Sequence, residues 1–193
     1  CMQIAKKYEK EYWDGDRRFG YGGYKFIPGR WAPVAEALIL EYALTNSSKI
    51  LDVGCGKGFL LYELKKLLPG LEVHGFDISR YALECLPSEI SGRFFQHDAS
   101  SPFEYEDKEF DLVISLGCLH NLSLPDLQNA LAEIERVGRR AFIMVESYRN
   151  DRELFNLQCW ALTAKTFLET TEWEWLLGYF GYFGDYEFIF FEE

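Results

Sequence analysis

An apolar run that ends in an aspartate and three alternating glycines constrains the fold more than any other stretch of this chain. The segment reads ILDVGCGKGF over residues 50–59, and an amphipathic run follows at once over residues 60–68. This order is typical of a β-strand that passes through a tight turn into a helix. Because glycine has no Cβ atom, the backbone of such a turn can adopt positive φ angles and approach a bound molecule closely. The stretch therefore predicts a strand, a ligand-binding turn and a helix.

The spacing of the glycines narrows the class of ligand. A dinucleotide-binding fingerprint requires Gly-x-Gly-x-x-Gly, but Phe59 fills the position of its last glycine. A Walker loop requires Gly-Lys-Ser/Thr, but Lys57 is followed by Gly58. The pattern that remains, Asp-x-Gly-x-Gly-x-Gly after an apolar strand, resembles motif I of the class I S-adenosylmethionine-dependent methyltransferases. A tight strand-to-helix turn without a ligand is the alternative interpretation.

Apolar runs and helical patterns alternate along the chain after this turn. This alternation predicts an α/β fold with a doubly wound, mostly parallel, Rossmann-like sheet. The predicted parallel strands cover residues 49–53, 72–76, 93–96, 110–116 and 141–145. Residues 179–183 and 186–191 predict a C-terminal antiparallel hairpin. We predict a single methyltransferase domain over residues 1–193, with its core in residues 33–193.

The amino-terminal part of the chain is rich in glycine and aromatic residues. Residues 14–26 read DGDRRFGYGGYKF, in which four glycines are interleaved with Phe and Tyr. Glycine at this density disfavours a regular helix, and aromatic rings bury no apolar surface in a solvated loop. We therefore interpret residues 1–32 as a lid that closes over a ligand with its aromatic faces inward. A flexible surface loop is the alternative.

Acidic residues follow the predicted strands at the edge of the sheet where ligands of such folds bind. Asp52 ends the first strand, Asp77 ends the second, and Asp98 follows the third. The resemblance implies S-adenosylmethionine as cofactor and S-adenosylhomocysteine as product. It implies that Asp77 accepts hydrogen bonds from the ribose hydroxyls and that Ile78 lies against adenine. It also implies that Asp98 and Ala99 bind the edge of the adenine. The other implied cofactor contacts are the glycines Gly54, Gly56 and Gly58 and the strand end Ser115, Leu116 and Gly117. From outside the core fold, Arg30 or Tyr24 could hold the cofactor carboxylate, because an arginine fork suits a carboxylate. A buried salt bridge is the alternative role of Arg30.

Candidate catalytic groups follow the fourth and fifth strands. Methyl transfer from a sulfonium is an in-line displacement, so the protein mainly supplies alignment and excludes water. A general base is required only when the acceptor must lose a proton. His120 is the first candidate because imidazole titrates near neutral pH, and a structural role at a helix start is its alternative. Glu146 and Tyr148 are the next candidates, and no set of metal ligands is visible, so we predict no metal.

The sequence constrains the methyl acceptor less than the cofactor. The formal net charge of −11 argues against a nucleic-acid partner and against an anionic membrane surface. Little chain lies outside the predicted core, which favours a small-molecule acceptor. The amino-terminal stretch also resembles methyltransferase-like proteins of bacterial capsule and surface-sugar pathways, which implies a phosphate- or nucleotide-linked acceptor that meets Arg17, Arg18 and Lys25. The alternatives are a protein methyltransferase and a non-catalytic S-adenosylmethionine-binding regulatory protein.

Targeting signals and cysteines suggest the compartment. No apolar stretch approaches the length of a membrane span and no secretory leader is visible, so we expect a cytoplasmic protein. The five cysteines are odd in number and no two of them have zinc-ligand spacing, so we expect them to be reduced. The sequence is compatible with a monomer or a dimer.

Overall fold

A parallel six-stranded sheet forms the centre of the computed structural model, which describes residues 1–192. The strands are β1 Lys49–Val53, β2 Glu72–Asp77, β3 Arg93–Gln96, β4 Leu112–Leu116, β5 Ala141–Glu146 and β6 Asp185–Ile189. Their order across the sheet is β3-β2-β1-β4-β5-β6, and every neighbouring pair is parallel. The five strands predicted from apolar runs are confirmed.

Helices connect the strands and cover both faces of the sheet. The α-helices of the described residues are α1 Met2–Ala5, α2 Lys10–Asp14, α3 Ala32–Glu41, α4 Phe59–Leu67, α5 Arg80–Glu84, α6 Leu124–Val137, α7 Asp151–Trp160 and α8 Thr170–Tyr179. Two short 3₁₀ turns cover Arg17–Phe19 and Leu119–Asn121. Proline in the first turn of α3 and of α6 suits a helix start, where no backbone N–H is needed. Within residues 1–192 no helix combines the length and the apolar character needed to cross a bilayer.

The strand side chains divide between two cores, one on each face of the sheet. In β4, Leu112 and Ile114 pack with α3 and α4, whereas Val113 packs with α6 and α8. All three side chains are fully buried. Alternate side chains of a strand point to opposite faces, so an uninterrupted apolar run is buried on both sides. This arrangement confirms the predicted doubly wound sheet.

The prediction of a closing antiparallel hairpin is wrong. A capping box between Glu169 and Glu172 starts α8, which ends at Tyr179, the first residue assigned to the first hairpin strand. The rest of that region, residues 180–183, forms a turn and irregular chain and no strand. The chain then turns at Gly181, which has a φ of 74°. It enters β6 in the same direction as β5, with Phe142 opposite Asp185. Because α7 and α8 form a crossover rather than a tight turn, the last strand is parallel.

The order of the strands creates a crevice at one end of the sheet. The chain runs outward from β1 to β2 and β3, and then returns to the other side of β1 as β4. The connection that follows β1 leads to one side of the sheet, toward β2, and the connection that follows β4 leads to the other side, toward β5. Ligands of open α/β sheets bind at the carboxyl ends of two such neighbouring strands. The amino-terminal segment, residues 1–31, packs over this end.

Candidate functional site

A cavity of about 190 Å³ lies at the carboxyl ends of β1, β2 and β4. The predicted cofactor residues that line it are Tyr24, Asp52, Gly54, Gly56, Asp77, Ile78, Asp98, Ala99, Leu116 and Gly117. The glycine turn and the acidic strand ends therefore meet in one space, although they are far apart in the sequence. This shared cavity is the geometric requirement for a single cofactor site.

The turn after β1 needs glycine for both conformation and space. The N–H groups of Gly54 and Cys55 both donate to the carbonyl of Phe76, at 2.9 and 3.0 Å, and fold the turn over the end of β2. Gly54 has a φ of 79°, and an added Cβ would collide with Sγ of Cys118. Gly56 has a φ of 53°, and its Cβ would lie 2.9 Å from the ring of Trp13. At Gly54 and Gly56 the wall of the cavity therefore consists of backbone alone, which a ligand can approach closely.

Asp77 joins this turn to the end of β2. Its Oδ2 accepts from the N–H of Gly56 at 2.8 Å, and its Oδ1 accepts from the N–H of Ser79 at 2.8 Å. Burial raises the pKa of Asp77, while these two backbone hydrogen bonds act to lower it. The two bonds fix the orientation of the carboxylate. Each oxygen keeps a further lone pair that can accept from a ligand hydroxyl.

Asp52 adds a second buried carboxyl group to the same cavity. It is 5% exposed at the end of β1. Burial, together with the nearby negative charge of Asp77, raises the pKa of Asp52 to about 8. Two carboxyl groups that share a poorly solvated space favour a positively charged ligand, because a cation offsets the cost of ionising them.

Asp98 and its neighbours form the outer wall of the cavity. Asp98 is exposed, and its Oδ1 accepts from the N–H and the hydroxyl of Ser100 at 2.9 and 2.8 Å. The side chain of Ile78 is 44% exposed at the mouth. His97 was not predicted, yet its ring lies edge-on to Phe76 and its Nε2 is buried without a hydrogen-bond partner. The strand-end rule that selected Asp98 applies equally to His97, so the sequence did contain a signal for it.

Three of the predicted cofactor contacts lie outside the cavity. Gly58 is the N-cap of α4, and its backbone packs against Leu86. Ser115 is fully buried and donates its hydroxyl to the carbonyl of Val53 at 2.8 Å, which joins the ends of β4 and β1. Arg30 is exposed on the amino-terminal segment. Gly58 and Ser115 therefore shape the backbone around the cavity, whereas no described contact ties Arg30 to it.

Aromatic rings of the amino-terminal segment cover the cavity. Trp13 is 6% exposed, and its Nε1 donates to the carbonyl of Tyr8 at 3.0 Å and to the hydroxyl of Ser79 at 2.9 Å. Its ring is stacked with that of Tyr21 at a centroid distance of 5.3 Å. Tyr24 stacks in the same way on Phe59, the first residue of α4, at 5.2 Å. The aromatic faces thus point inward, in the position predicted for a lid.

Lys57 fastens this segment to the glycine turn. Its Nζ lies 2.7 Å from Oδ2 of Asp14 and donates to the carbonyl of Tyr24 at 2.8 Å. Asp14 also accepts from the N–H of Tyr24 at 3.0 Å and from the hydroxyl of Tyr81 at 2.8 Å. Lys57 is only 4% exposed, although no local sequence pattern indicates that it is buried. We refer to these four residues as the clasp.

A second, smaller cavity of about 30 Å³ adjoins the first. The two cavities share Tyr12, Tyr21 and Gly117. The second cavity has room for about two water molecules. Its other wall contains two of the predicted catalytic residues, His120 and Glu146.

His120 and Glu146 form a buried pair. Nε2 of His120 lies 3.3 Å from Oε2 of Glu146, and the two residues are 4% and 9% exposed. Nδ1 of His120 and Oε2 of Glu146 are left without a hydrogen bond in the described structure. Burial lowers the pKa of His120 to about 4 and raises the pKa of Glu146 to about 7. The third candidate, Tyr148, lines neither cavity and packs against Leu157 and its neighbours instead.

Known proteins resemble the part of the chain that forms the larger cavity. Residues 50–140 match the family model described as a methyltransferase domain. The match includes the glycine turn, the acidic ends of β2 and β3, and the segment from β4 to His120. It ends before Glu146.

Curated relatives include enzymes with different acceptors. Demethylmenaquinone methyltransferase of Thermotoga maritima is 30% identical over 139 residues, which cover 72% of this chain and 55% of that protein. Ribosomal RNA small subunit methyltransferase C of Buchnera aphidicola is 34% identical over 77 residues, which cover 39% of this chain and 23% of that protein. This chain therefore spans about half or less of the length of these relatives.

Solved structures share the fold. The YcgJ protein of Bacillus subtilis superimposes with a TM-score of 0.61 at 21% identity, over 76% of this chain and 66% of that one. At this level of identity the likeness shows the fold alone.

Proposed function

Because this chain belongs to the class I S-adenosylmethionine-dependent methyltransferases, we propose that it transfers the donor's methyl group to a small-molecule acceptor. The observation that carries the proposal is the contact between the two cavities at Gly117, Tyr12 and Tyr21. The larger cavity has the cradle and acids suited to the donor, and the smaller one offers an adjoining acceptor site.

The residues of the larger cavity fit the donor in charge and shape. S-adenosylmethionine supplies a methyl group that its sulfonium charge already activates. Asp77 would accept from the ribose hydroxyls, and Asp98 with the backbone of Ala99 would bind the adenine edge. The glycine turn would pass close to the methionine portion, with Asp52 nearby as a countercharge. The protein's main tasks are then to align the acceptor and to exclude water, for which the aromatic cover is suited.

The amino-terminal segment lines one side of the acceptor site, and residues 160–163 with the ends of β4 and β5 line the rest. Tyr12, Arg17 and Tyr21 form one side of the smaller cavity. An acceptor larger than a few atoms therefore requires this segment to move, which supports its interpretation as a lid. A phosphate- or nucleotide-linked acceptor is a finer form of the proposal. Arg17 lines the cavity, which supports an anionic acceptor of this kind. Glu146 lines the same cavity and would repel an anion, and Arg18 and Lys25 are not among the lining residues.

Two measurements test the proposed function. Calorimetry is expected to detect S-adenosylmethionine binding, and methyl-tritiated donor is expected to label the small-molecule fraction of a cell extract. Label in the protein or RNA fraction would favour the acceptor classes of other methyltransferases, including that of the ribosomal RNA relative. Binding without any labelled product would favour a non-catalytic regulatory protein.

The affinity for S-adenosylmethionine is expected to rise with pH between about 6 and 8 and then to level off. Asp52 has a pKa of about 8 in a cavity without a cation, so it is largely protonated below that pH. A bound sulfonium favours the ionised form, and binding then releases a proton. The slope of such a dependence is at most about tenfold per pH unit. Titration calorimetry at several pH values measures it.

Two ligands that differ in charge, together with one variant, show how much of this pH dependence of affinity comes from Asp52. S-adenosylhomocysteine carries the same amino and carboxyl groups but no sulfonium charge, so its affinity should depend less on pH. Asp52→Asn should bring the pH slopes of the two ligands together. Equal slopes for both ligands in the unmodified protein would show that Asp52 does not sense the sulfonium.

A further inference from the structure

We infer that Glu146 is the group that takes a proton from a hydroxyl acceptor, and that His120 is a positioning residue that holds it. This inference rests on the proposed function and adds a class of acceptor to it. The sequence favours His120 as the base because an ordinary imidazole titrates near neutral pH. In the folded protein, the surroundings of the two residues make Glu146 the stronger base and His120 the weaker one.

The geometry around Glu146 leaves its carboxyl group poorly compensated. Glu146 ends β5 and lines the smaller cavity, whose lining also includes the residues Tyr12, Tyr21 and Gly117 that the two cavities share. Its side chain is 11% exposed and that of His120 is 5% exposed, so Glu146 is the more accessible member of the pair. His120 Nε2 is the one cationic or potentially cationic group of the described residues within 4.0 Å of the carboxylate. A buried carboxyl group without full partners is costly for folding, and such groups are concentrated at functional sites.

The proton affinities of the pair agree with this assignment. Because burial lowers the pKa of His120 to about 4, its imidazole is a weak base. Because burial raises the pKa of Glu146 to about 7, its carboxylate is a stronger base and is half ionised near neutral pH. A base whose pKa lies close to the working pH is the most effective. Neutral His120 packs beside the carboxylate with its Nε2 3.3 Å from Oε2, a contact that does not have the geometry of a hydrogen bond and leaves that oxygen free to accept a proton.

The proposed step is the transfer of a methyl group from sulfur to a hydroxyl oxygen, with loss of the hydroxyl proton. The acceptor's oxygen forms a bond to the methyl carbon as the carbon–sulfur bond breaks. The electron pair of that bond stays on sulfur, which leaves S-adenosylhomocysteine neutral at sulfur. The acceptor's hydroxyl proton passes to the carboxylate of Glu146, which later returns it to solvent. The products are a methyl ether and a protonated carboxyl group.

Positive charge around the smaller cavity favours a neutral hydroxyl over an ammonium acceptor. The donor's sulfonium would lie on one side of the acceptor, and Arg17 is among the residues that line the smaller cavity. Arg17 is held there by its contact with the ring of Trp160, 4.0 Å from the centroid, and by a hydrogen bond to the carbonyl of Gly20. A protonated amine between two cations is disfavoured. The rings of Tyr12 and Tyr21 suit an acceptor with an apolar or aromatic body.

The two tyrosines at the cavity do not ionise near neutral pH, because burial raises the pKa values of Tyr12 and Tyr21 above that of ordinary tyrosine. Asp52 affects donor affinity, so the rate is measured at saturating donor. Under that condition the methylation rate is expected to rise as pH passes through about 7, because Glu146 must lose its proton to act as a base.

The experiment combines product chemistry with variants of the full chain. Methyl-tritiated S-adenosylmethionine is incubated with the small-molecule fraction of a cell extract, and labelled products are sorted into ethers, esters, amines and carbon-methylated compounds. The dominant product is expected to be an ether. Glu146→Gln is expected to lower kcat by about 100-fold or more, to remove the rise in rate near pH 7, and to leave donor affinity within about threefold.

Two further variants separate catalysis from structure. His120→Asn should lower kcat less than Glu146→Gln and should shift the pH midpoint, because it changes the partner of the carboxylate. Glu63→Gln alters another buried glutamate, which pairs with Lys66 on α4, and should change neither the rate nor the pH profile. A labelled amine as the main product, or a normal rate in Glu146→Gln, would overturn the inference alone. No labelled product despite donor binding would overturn the proposed function as well.

Discussion

Replacing Asp77 with asparagine is expected to weaken S-adenosylmethionine binding by about 100-fold. The carboxylate is fixed by the N–H groups of Gly56 and Ser79, so both oxygens have a defined position at the cavity wall. A hydrogen bond to a charged group contributes about 1.5–3 kcal/mol, and the loss of about 3 kcal/mol for two ribose hydroxyls corresponds to roughly 100-fold. An amide nitrogen in place of one oxygen cannot accept from a hydroxyl, and it would also face a backbone donor. Calorimetry with S-adenosylmethionine measures the change.

Asp98→Asn is the matched control for this prediction. Asp98 lines the same cavity, but it is exposed and its structural hydrogen bonds go to Ser100 alone. Its replacement is expected to weaken binding by less than about 10-fold, because a solvated contact contributes less than a buried one. Thermal unfolding of both variants tests whether the turn still folds. If Asp98→Asn weakens binding as much as Asp77→Asn, the ribose contact is wrongly assigned.

Local sequence patterns were sufficient for the sheet and for most of the larger cavity. An apolar run that is buried on both faces identifies a central strand without knowledge of its neighbours, as in Leu112 to Ile114. Acidic residues directly after such strands must lie at the same edge of a parallel sheet, so Asp52, Asp77 and Asp98 converge. The glycine turn depends on backbone conformation alone, which the residue type determines locally.

Features that depend on distant contacts could not be derived in this way. The direction of β6 depends on the helical crossover through α7 and α8, which returns the chain to the start of β5. The aromatic run over residues 179–183 suits a strand by residue type, but it forms the end of α8 and the turn that follows. Ser115 is one residue before the cavity lining begins, and the alternation of β4 turns its hydroxyl toward Val53 instead. The order of basicity of His120 and Glu146 depends on how deeply each is buried, and no local pattern specifies burial to that degree.

The clasp is the clearest example of a functional feature without a local signal. Lys57 and Asp14 are 43 residues apart in the sequence. A lysine in a glycine turn is more often solvated or directed to a ligand, and an aspartate before a glycine is typical of a loop. The pairing becomes visible only when the amino-terminal segment is seen across the end of the sheet.

Lys57→Met is expected to release the amino-terminal segment from the cavity. The ammonium of Lys57 is almost fully buried between Asp14 and the carbonyl of Tyr24, while the Asp14 side chain is 23% exposed. Removal of one partner of a buried ion pair costs several kcal/mol, and we discount this to about 2 kcal/mol because Asp14 is partly solvated. The open form should then become about 30-fold more populated, as 1.36 kcal/mol corresponds to a factor of 10. Trypsin cleavage after Arg17, Arg18 or Lys25 should accelerate by a similar factor, and S-adenosylmethionine should dissociate faster.

Lys65→Met is the control variant. It shows whether the effect of Lys57→Met comes from the broken clasp or from the removal of any lysine near the turn. Lys65 lies on α4, the helix that follows the turn of Lys57, and its Nζ donates to two backbone carbonyls, those of Pro69 and Leu71, each at 2.8 Å. It lies in the last turn of the helix, on the opposite end from the cavity, so its replacement should not alter cleavage of the amino-terminal segment. Asp14→Asn should act in the same direction as Lys57→Met, since the amide loses the charge and its nitrogen cannot accept the hydrogen bonds that one carboxylate oxygen accepts now. If Lys57→Met leaves both the cleavage rate and the donor's dissociation rate unchanged, the ion pair does not hold the segment closed, and the aromatic contacts of Trp13 and Tyr24 must do so alone.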